Sequence, residues 1–481
     1  VPRSYDAVVV GSGPNGLAAA IVIAETGRSV LVIEAADTIG GGCRTGELTL
    51  PGFLHDTCSA IHPMALASPL FRRLPLERHG LRWVHPPAPL AHPFEDGTAV
   101  VLHRSIAETA AQLADDGPAW IRLLQPLVDA ADATFDGLLR PAGRGRPTLA
   151  LVRFGLLGLR SCASLVRSRF RHARARALFA GCAAHSFLPL EAAGSASFGL
   201  VLTLAGHAVG WPCAHGGSGR IADALAAHLR SLGGEIEVGR PVRSLAELPP
   251  ARAVLFDVAP IALCRIAGDA LPARYRRQLA RFVHGPGAFK IDWALAGPIP
   301  WTANSCAAAG TVHVGGSFEE VAASEAAACA GRVPMRPFVI VAQQSMFDPV
   351  RAPRGRQAAW GYCHVPNGCP IDMTDRIEQQ IERFAPGFRD LILCRRITPP
   401  RALEAANPNL VGGDISGGAN HLRQLVFRPA VRWNPYATPN PRLFLCSAST
   451  PPGGGVHGMC GAGAALSALA TVLASKEATV A

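Results

Sequence analysis

The chain has 481 residues, 49% of them apolar, a formal net charge of +11 and a mean hydropathy of +0.21. That length supports two or three domains with an ample core, and no apolar stretch in it reads as a bilayer span. The basic excess is nearly all arginine, with Lys290 and Lys476 the only lysines, and no nucleic-acid motif accompanies it.

The first informative segment is Tyr5 to Ala35, YDAVVVGSGPNGLAAAIVIAETGRSVLVIEA. An apolar strand, Ala7 to Val10, runs into Gly11-Ser12-Gly13-Pro14-Asn15-Gly16. A small-residue helix is expected from Leu17 to about Thr26, stopped by Gly27. A second strand, Ser29 to Ile33, leads to Glu34 and Ala35. The three glycines serve different ends. Gly11 allows the tight turn, Gly13 close approach to a pyrophosphate, and Gly16 close packing of helix on strand. The helix N-terminus offers free N–H groups to phosphates. Glu34, eighteen residues after Gly16, can accept from ribose hydroxyls, and its charge disfavours a 2′-phosphate. The motif calls for a dinucleotide but does not choose between NAD and FAD.

A glycine-rich turn, Ile39-Gly40-Gly41-Gly42-Cys43-Arg44-Thr45, follows at once, then His55-Asp56-Thr57-Cys58-Ser59-Ala60-Ile61-His62. The Pro-rich stretch His85 to Pro93 reads as a crossing between domains. Residues to about 205 read as mostly helical. Within them Arg153, Arg160, Arg167, Arg169, Arg171, Arg174 and Arg176 interleave with Phe154, Leu156, Leu157, Leu159, Leu165 and Val166. This is a basic amphipathic stretch. A helix packed on its own domain with a solvated basic face is the plainer expectation, and contact with an anionic membrane surface the sharper one.

Gly210-Trp211-Pro212-Cys213-Ala214-His215-Gly216-Gly217-Ser218-Gly219-Arg220 then opens a helix to about Leu232, followed by a strand-like Glu235 to Val238 and by Val242. Strands at Ala288 to Ala294 and Phe338 to Ala342 suggest a sheet flooring a substrate cavity, and Ala322 to Ala330 an alanine-rich helix. The last motif is Leu443-Phe444-Leu445, a glycine loop through Ser449, Gly453-Gly454-Gly455, Val456, His457, Gly458 and Met459, and then a helix through Ala464 to about Ser475. Thirteen cysteines are odd in number and show neither CxxC nor metal spacing. They are expected to be reduced thiols, with no dithiol chemistry and no metal, in a cytoplasmic protein without a leader before its first strand.

These glycine blocks resemble those of the amine oxidase and phytoene desaturase superfamily of flavoproteins. The match is closest to the phytoene desaturase-related branch of pyridine nucleotide-disulfide oxidoreductase domain-containing proteins. The resemblance implies an α/β fold with a Rossmann-type FAD domain split along the chain (1–85, 206–275 and 426–481). A mixed-sheet and helical substrate domain would occupy 86–205 and 276–425. It implies non-covalent FAD held by Gly11, Gly13, Pro14, Asn15, Gly16, Glu34, Ala35, Gly41, Gly42, Arg44, Asp56, Val242, Ser449, Gly455, Val456, His457, Gly458 and Met459. Arg44 would meet the diphosphate or orient the flavin-side loop, Val242 would offer its backbone to the adenine, and the last helix would aim at the flavin. Lys290, in Phe289-Lys290-Ile291-Asp292-Trp293, resembles the amine oxidase lysine that meets flavin N5 through water. A lysine on the strand's solvent side is the alternative. His457 and His62 are the other catalytic candidates, with His364 and Asn409 behind them.

The activity so implied is C–C desaturation, or double-bond isomerisation, of a hydrophobic small molecule. Electrons would leave to oxygen or a quinone. Oxidation of C–N bonds is the alternative, weakened because Pro451 to Gly455 supplies no aromatic residue before the last helix. A lipid-chain carrier of the same fold is the non-enzyme alternative. Oligomeric state is left open.

Overall fold

The computed structural model describes residues 3–140 and 148–474. Two sheets organise the chain. The first is parallel throughout, in the spatial order Leu443–Leu445, Ala251–Phe256, Tyr5–Val10, Val30–Ile33, Glu235–Glu237. Its inner strands Tyr5–Val10 and Val30–Ile33 read as nearly continuous apolar runs because helices cover both faces, whereas the edge strand Glu235–Glu237 is polar and partly exposed. Val8, Val9 and Val32 are fully buried.

The Pro14–Ala24 helix crosses over this sheet. It begins three residues earlier than expected, because Pro14 can fill the first helical turn, where its missing N–H is not needed. The C-terminal helix, Met459–Leu469, packs directly on it. Gly461 makes that approach feasible: a Cβ there would lie 1.8 Å from the carbonyl oxygen of Asn15. This helix starts at Met459, straight after the glycine loop. Ser475 and Lys476 lie outside the described residues.

The second sheet is mixed, in the order Ile392–Thr398, Gly287–Leu295, Gln357–Val365, Val339–Ala342, Ala309–Val314, Ala88–Pro93, Ala99–Leu102. Its pairs are antiparallel except Ala309–Val314 with Ala88–Pro93. The segment expected as a Pro-rich crossing is thus partly a strand. Pro89 is tolerated because the antiparallel ladder with Ala99–Leu102 begins only at Leu90. Alternation puts Ala288, Lys290, Thr311, Ile340, Ala342, Trp360 and Tyr362 on one face, the floor of a cavity.

Helices from 106 to 208 cover that cavity. The arginine-rich stretch is three helices rather than one: Leu149–Gly158, Cys162–Arg169 and Ala173–Ala184. Ser161 caps the second, its hydroxyl accepting from the Ser164 N–H, and the first two meet at 106°. Among the described residues no single helix is long and apolar enough to cross a membrane.

Candidate active site

A single continuous cavity of about 840 Å³ runs from the C-terminal ends of the parallel strands to the floor of the mixed sheet. The strand ends are where open α/β sheets bind ligands. Gly11 adopts φ +103°, and its N–H donates to the Ile33 carbonyl at 2.8 Å, which closes the turn. Gly16 lies beneath the turn, where a Cβ would meet the Gly11 carbonyl oxygen at 2.1 Å. Gly11, Gly13, Pro14 and Asn15 line the cavity, as do Glu34, Ala35, Gly41, Gly42, Arg44 and Val242. Gly16 packs behind them.

Glu34 is held rigidly. One carboxylate oxygen accepts from the Ser12 N–H and hydroxyl at 2.9 and 2.6 Å, the other from the Ala36 N–H at 2.9 Å. Arg44, expected at a diphosphate, stands 3.5 Å from Glu34 and donates to the Thr38 and Ile39 carbonyls. Its side chain is thereby committed to the Glu34 side of the turn.

At the other end of this half, Ser449, Gly455, Val456 and His457 line the cavity, while Gly458 and Met459 do not. Gly458, at φ +69°, caps the last helix against Phe71 and Ala18. His457 Nδ1 accepts from the Met459 N–H at 3.1 Å, so its proton sits on Nε2. Burial lowers its pKa to about 4, and that of His62 to about 4. Both are neutral imidazoles at neutral pH. His62 reaches the cavity with Nε2 unpartnered among the described residues.

Asp56 is a correction. It does not line the cavity but is wholly buried behind it, accepting from Thr45, Ser218 and Arg351. Burial opposes its charge, yet Arg351 and these donors outweigh that and hold its pKa below the ordinary value. It anchors the loop rather than facing a ring.

Lys290 does reach the cavity, but as half of a buried pair, with Nζ 2.5 Å from Asp292. The solvent-side alternative is excluded, since the residue is 3% exposed. Nζ also stands 5.6 Å from the Trp360 ring, which stacks on Tyr362 with centroids 5.5 Å apart. Behind the pair, His55 Nδ1 is 3.6 Å from Asp292. His364 is away from the cavity, bonded to Glu325 at 2.6 Å. Asn409 lines the cavity and bridges the Asp257 carbonyl and the Ala259 N–H.

Three features are not expected from the sequence. Asp257 follows the Ala251–Phe256 strand, next to the central Tyr5–Val10 strand, accepts from the Gly16 N–H at 2.9 Å and lines the cavity. Burial raises its pKa to about 7. The position just after a parallel strand is the signal that could find it. Arg428 is 1% exposed, lines the cavity and has no carboxylate partner among the described residues. Nη2 donates to the Gly417 carbonyl, and a Cβ at Gly453 would lie 2.5 Å from Nη1, which places the guanidinium against the C-terminal glycine loop. No local pattern announces it. Finally, Trp360 and Tyr362 put aromatic rings on the floor, two apart on one strand. Among the described residues no cluster of metal-ligating side chains occurs.

The architecture is that of two-domain oxidoreductases of the amine oxidase type. Along nearly its whole length the chain resembles the pyridine nucleotide-disulfide oxidoreductase domain-containing protein 2 branch of the amine oxidase and phytoene desaturase superfamily. The family of NAD(P)-binding Rossmann-like domains matches residues 9–74. The Rattus norvegicus pyridine nucleotide-disulfide oxidoreductase domain-containing protein 2 is 25% identical over 96% of this chain and 92% of its own. An oxidoreductase structure from Methanosarcina mazei shares the fold with a TM-score of 0.64 at 15% identity, over 98% of this chain and 100% of the other. Putrescine oxidase, solved bound to putrescine, gives 0.63 at 17% identity, over 98% and 100%.

Proposed function

We propose that the chain is an FAD-dependent oxidoreductase acting on a hydrophobic small molecule, by C–C desaturation or flavin-assisted double-bond isomerisation. The observation that carries this is the continuity of the cavity: one half is a dinucleotide cradle ending in Glu34, the other an apolar chamber whose floor bears a single ammonium. The cradle suits a dinucleotide. Asn15 Oδ1, Ser447 Oγ and His62 Nε2 are buried polar atoms without protein partners among the described residues, all on residues of its wall.

Glu34 would hold the ribose, Gly11 to Asn15 the diphosphate and Val242 the adenine side. Gly455 to His457 would hold the flavin, which when bound accepts hydride at N5. Lys290 holds a proton at Nζ and an electrostatic field on the chamber floor, with Asp292 fixing its position. Arg428 presents a positive charge at the glycine loop, suited to charge developing on a reduced ring. The state of the two nearby nucleophiles supports non-covalent attachment. Cys460 is buried with its thiol pushed up to about 11, its sulfur turned to the Thr450 and Gly453 carbonyls, and His457 Nε2 is protonated.

C–N oxidation is the second reading, favoured by the Trp360–Tyr362 pair. These rings stack at 20° with centroids 5.5 Å apart and present an aromatic surface to the chamber beside Lys290. The test is anaerobic bleaching of the flavin by polyenes, lipids and amines, then reoxidation by oxygen or a quinone. Bleaching by apolar alkenes supports the first reading, and bleaching by amines alone selects the second. Purified protein that neither carries nor takes up FAD overturns both in favour of a carrier.

A further inference from the structure

The Leu149–Gly158 helix has two faces with opposite destinations. Phe154 points inward and lines the cavity, and Gly158 packs on Ser197. Leu149, Val152, Leu156 and the following Leu159 recur at helical spacing on the outside, Leu149 86% and Leu156 69% exposed. A second apolar group adjoins it. The Gly194 N–H donates to the Leu159 and Arg160 carbonyls, and Gly194 lies against Leu422, the first residue of the Leu422–Val426 helix. That element repeats the division: Leu425 lines the cavity, whereas Val426 and Phe427 are exposed, and Val431 and a fully exposed Trp433 follow. Isolated exposed apolar residues are ordinary, but the leucine stripe with Val426 and Phe427 lies on the outer side of two elements that wall the cavity.

The segments that carry it are predominantly basic. Residues 137–190 contain ten arginines and no acid, and residues 415–476 contain no acid either. Arg167, Arg169, Arg171, Arg423 and Arg432 are exposed. The nearby acids of the preceding helix, Asp132 and Asp136, are engaged by Arg72 and Arg140. Glu191 is exposed at the margin. We propose that this face docks on the surface of an anionic lipid bilayer, with the leucine stripe, Val426 and Phe427 entering the headgroup boundary and the arginines meeting lipid phosphates. The apolar half of the cavity then lies just behind the docked face, a short path for a molecule dissolved in the membrane. The docking itself does not depend on the FAD reading.

The test is co-sedimentation of the full chain with vesicles of phosphatidylcholine alone or with phosphatidylglycerol added. At low salt the bound fraction should rise at least ten-fold with the anionic lipid and fall back in 0.5 M NaCl, as screening requires (roughly ten-fold effects are the scale of one or two basic contacts). L156S/L159S should lower binding about ten-fold, while V238S, at an exposed valine on the nucleotide side, should not. Equal binding to both vesicle types, no binding to either, or a double variant that binds like the parent overturns the proposal. So does a dimer in sedimentation velocity that L156S/L159S dissolves, which would give the face to a second copy.

Discussion

Lys290 and Asp292 sit two apart on one strand, both facing the chamber side, 3% and 0% exposed. Removing one charge from such a pair leaves the other buried and unpaired, at a cost of about 3–5 kcal/mol. Lys290→Met therefore cannot isolate a chemical role, contrary to what an unpaired lysine would permit. We expect Lys290→Met to lower the melting temperature clearly and Lys290→Met/Asp292→Asn to recover most of that loss. If the ammonium acts on the flavin, both should slow flavin reduction ten-fold or more, about 1.4 kcal/mol of barrier. A double variant that recovers both stability and rate would make the pair purely structural. Asp257 offers a pH test. Its folded pKa of about 7 exceeds the ordinary 3.8, so between those values the folded chain binds more protons than the unfolded one. Its contribution to stability is then greatest below about pH 4 and declines as pH rises towards 7. Asp257→Asn keeps an acceptor for the Gly16 N–H and cannot ionise. Urea melts from pH 4.5 to 7.5 should show a shallower loss of stability in the variant, and parallel profiles would mean that Asp257 is already ionised throughout.

At the scale of elements, the contact that joins the two ends of the chain is helix on helix, Pro14–Ala24 against Met459–Leu469. Both are rich in Ala and Gly, and the closest approach is Gly461 over Asn15. A methyl group 1.8 Å from a backbone oxygen cannot be absorbed by a rotamer change, so Gly461→Ala must push the helices apart. We expect a loss of about 1–3 kcal/mol, the usual cost of overpacking, together with weaker dinucleotide binding because Asn15 sits in the cradle. Unchanged stability in thermal melts would show that the two helices can slide at little cost. The same pair shows why boundaries are harder to read than elements. The glycine motif announces a helix, but Pro14 at its start and Gly458 at the start of its partner decide where each begins, and both look like loop residues in sequence. The arginine-rich stretch reads as one amphipathic unit for a related reason. Periodicity alone does not register Ser161 as a cap, so residues that face inward and outward are pooled.

For the molecule as a whole, much of the nucleotide half is legible because its signals are local: Gly11, Gly13, Glu34 and the C-terminal glycine loop each fall within one short motif. The chamber is not, because its wall is assembled across strands. Trp360 meets Lys290, Arg428 meets Gly453, and Asp257 meets Gly16, pairs separated by 25 to 241 residues that no single window contains. Since the cradle draws on the first strand, the middle of the chain and the last loop, a ligand that spans it should stabilise the entire fold rather than one end. Unfolding of 481 residues carries an entropy of about 1 kcal/mol/K near the midpoint, and a ligand at a hundred times its Kd adds about 2.7 kcal/mol. FAD at that excess should therefore raise the Tm by about 3 °C. Riboflavin, which lacks both the diphosphate and the adenosine ribose, should raise it far less at equal concentration. Glu34→Arg should abolish most of the FAD effect and also lower the ligand-free Tm, because Ser12 and Ala36 lose their acceptor and a second cation meets Arg44, so the FAD-induced shift rather than the absolute Tm is the readout. An equal shift from FAD and riboflavin would place recognition on the ring alone, and a full FAD shift in Glu34→Arg would remove Glu34 from the ribose.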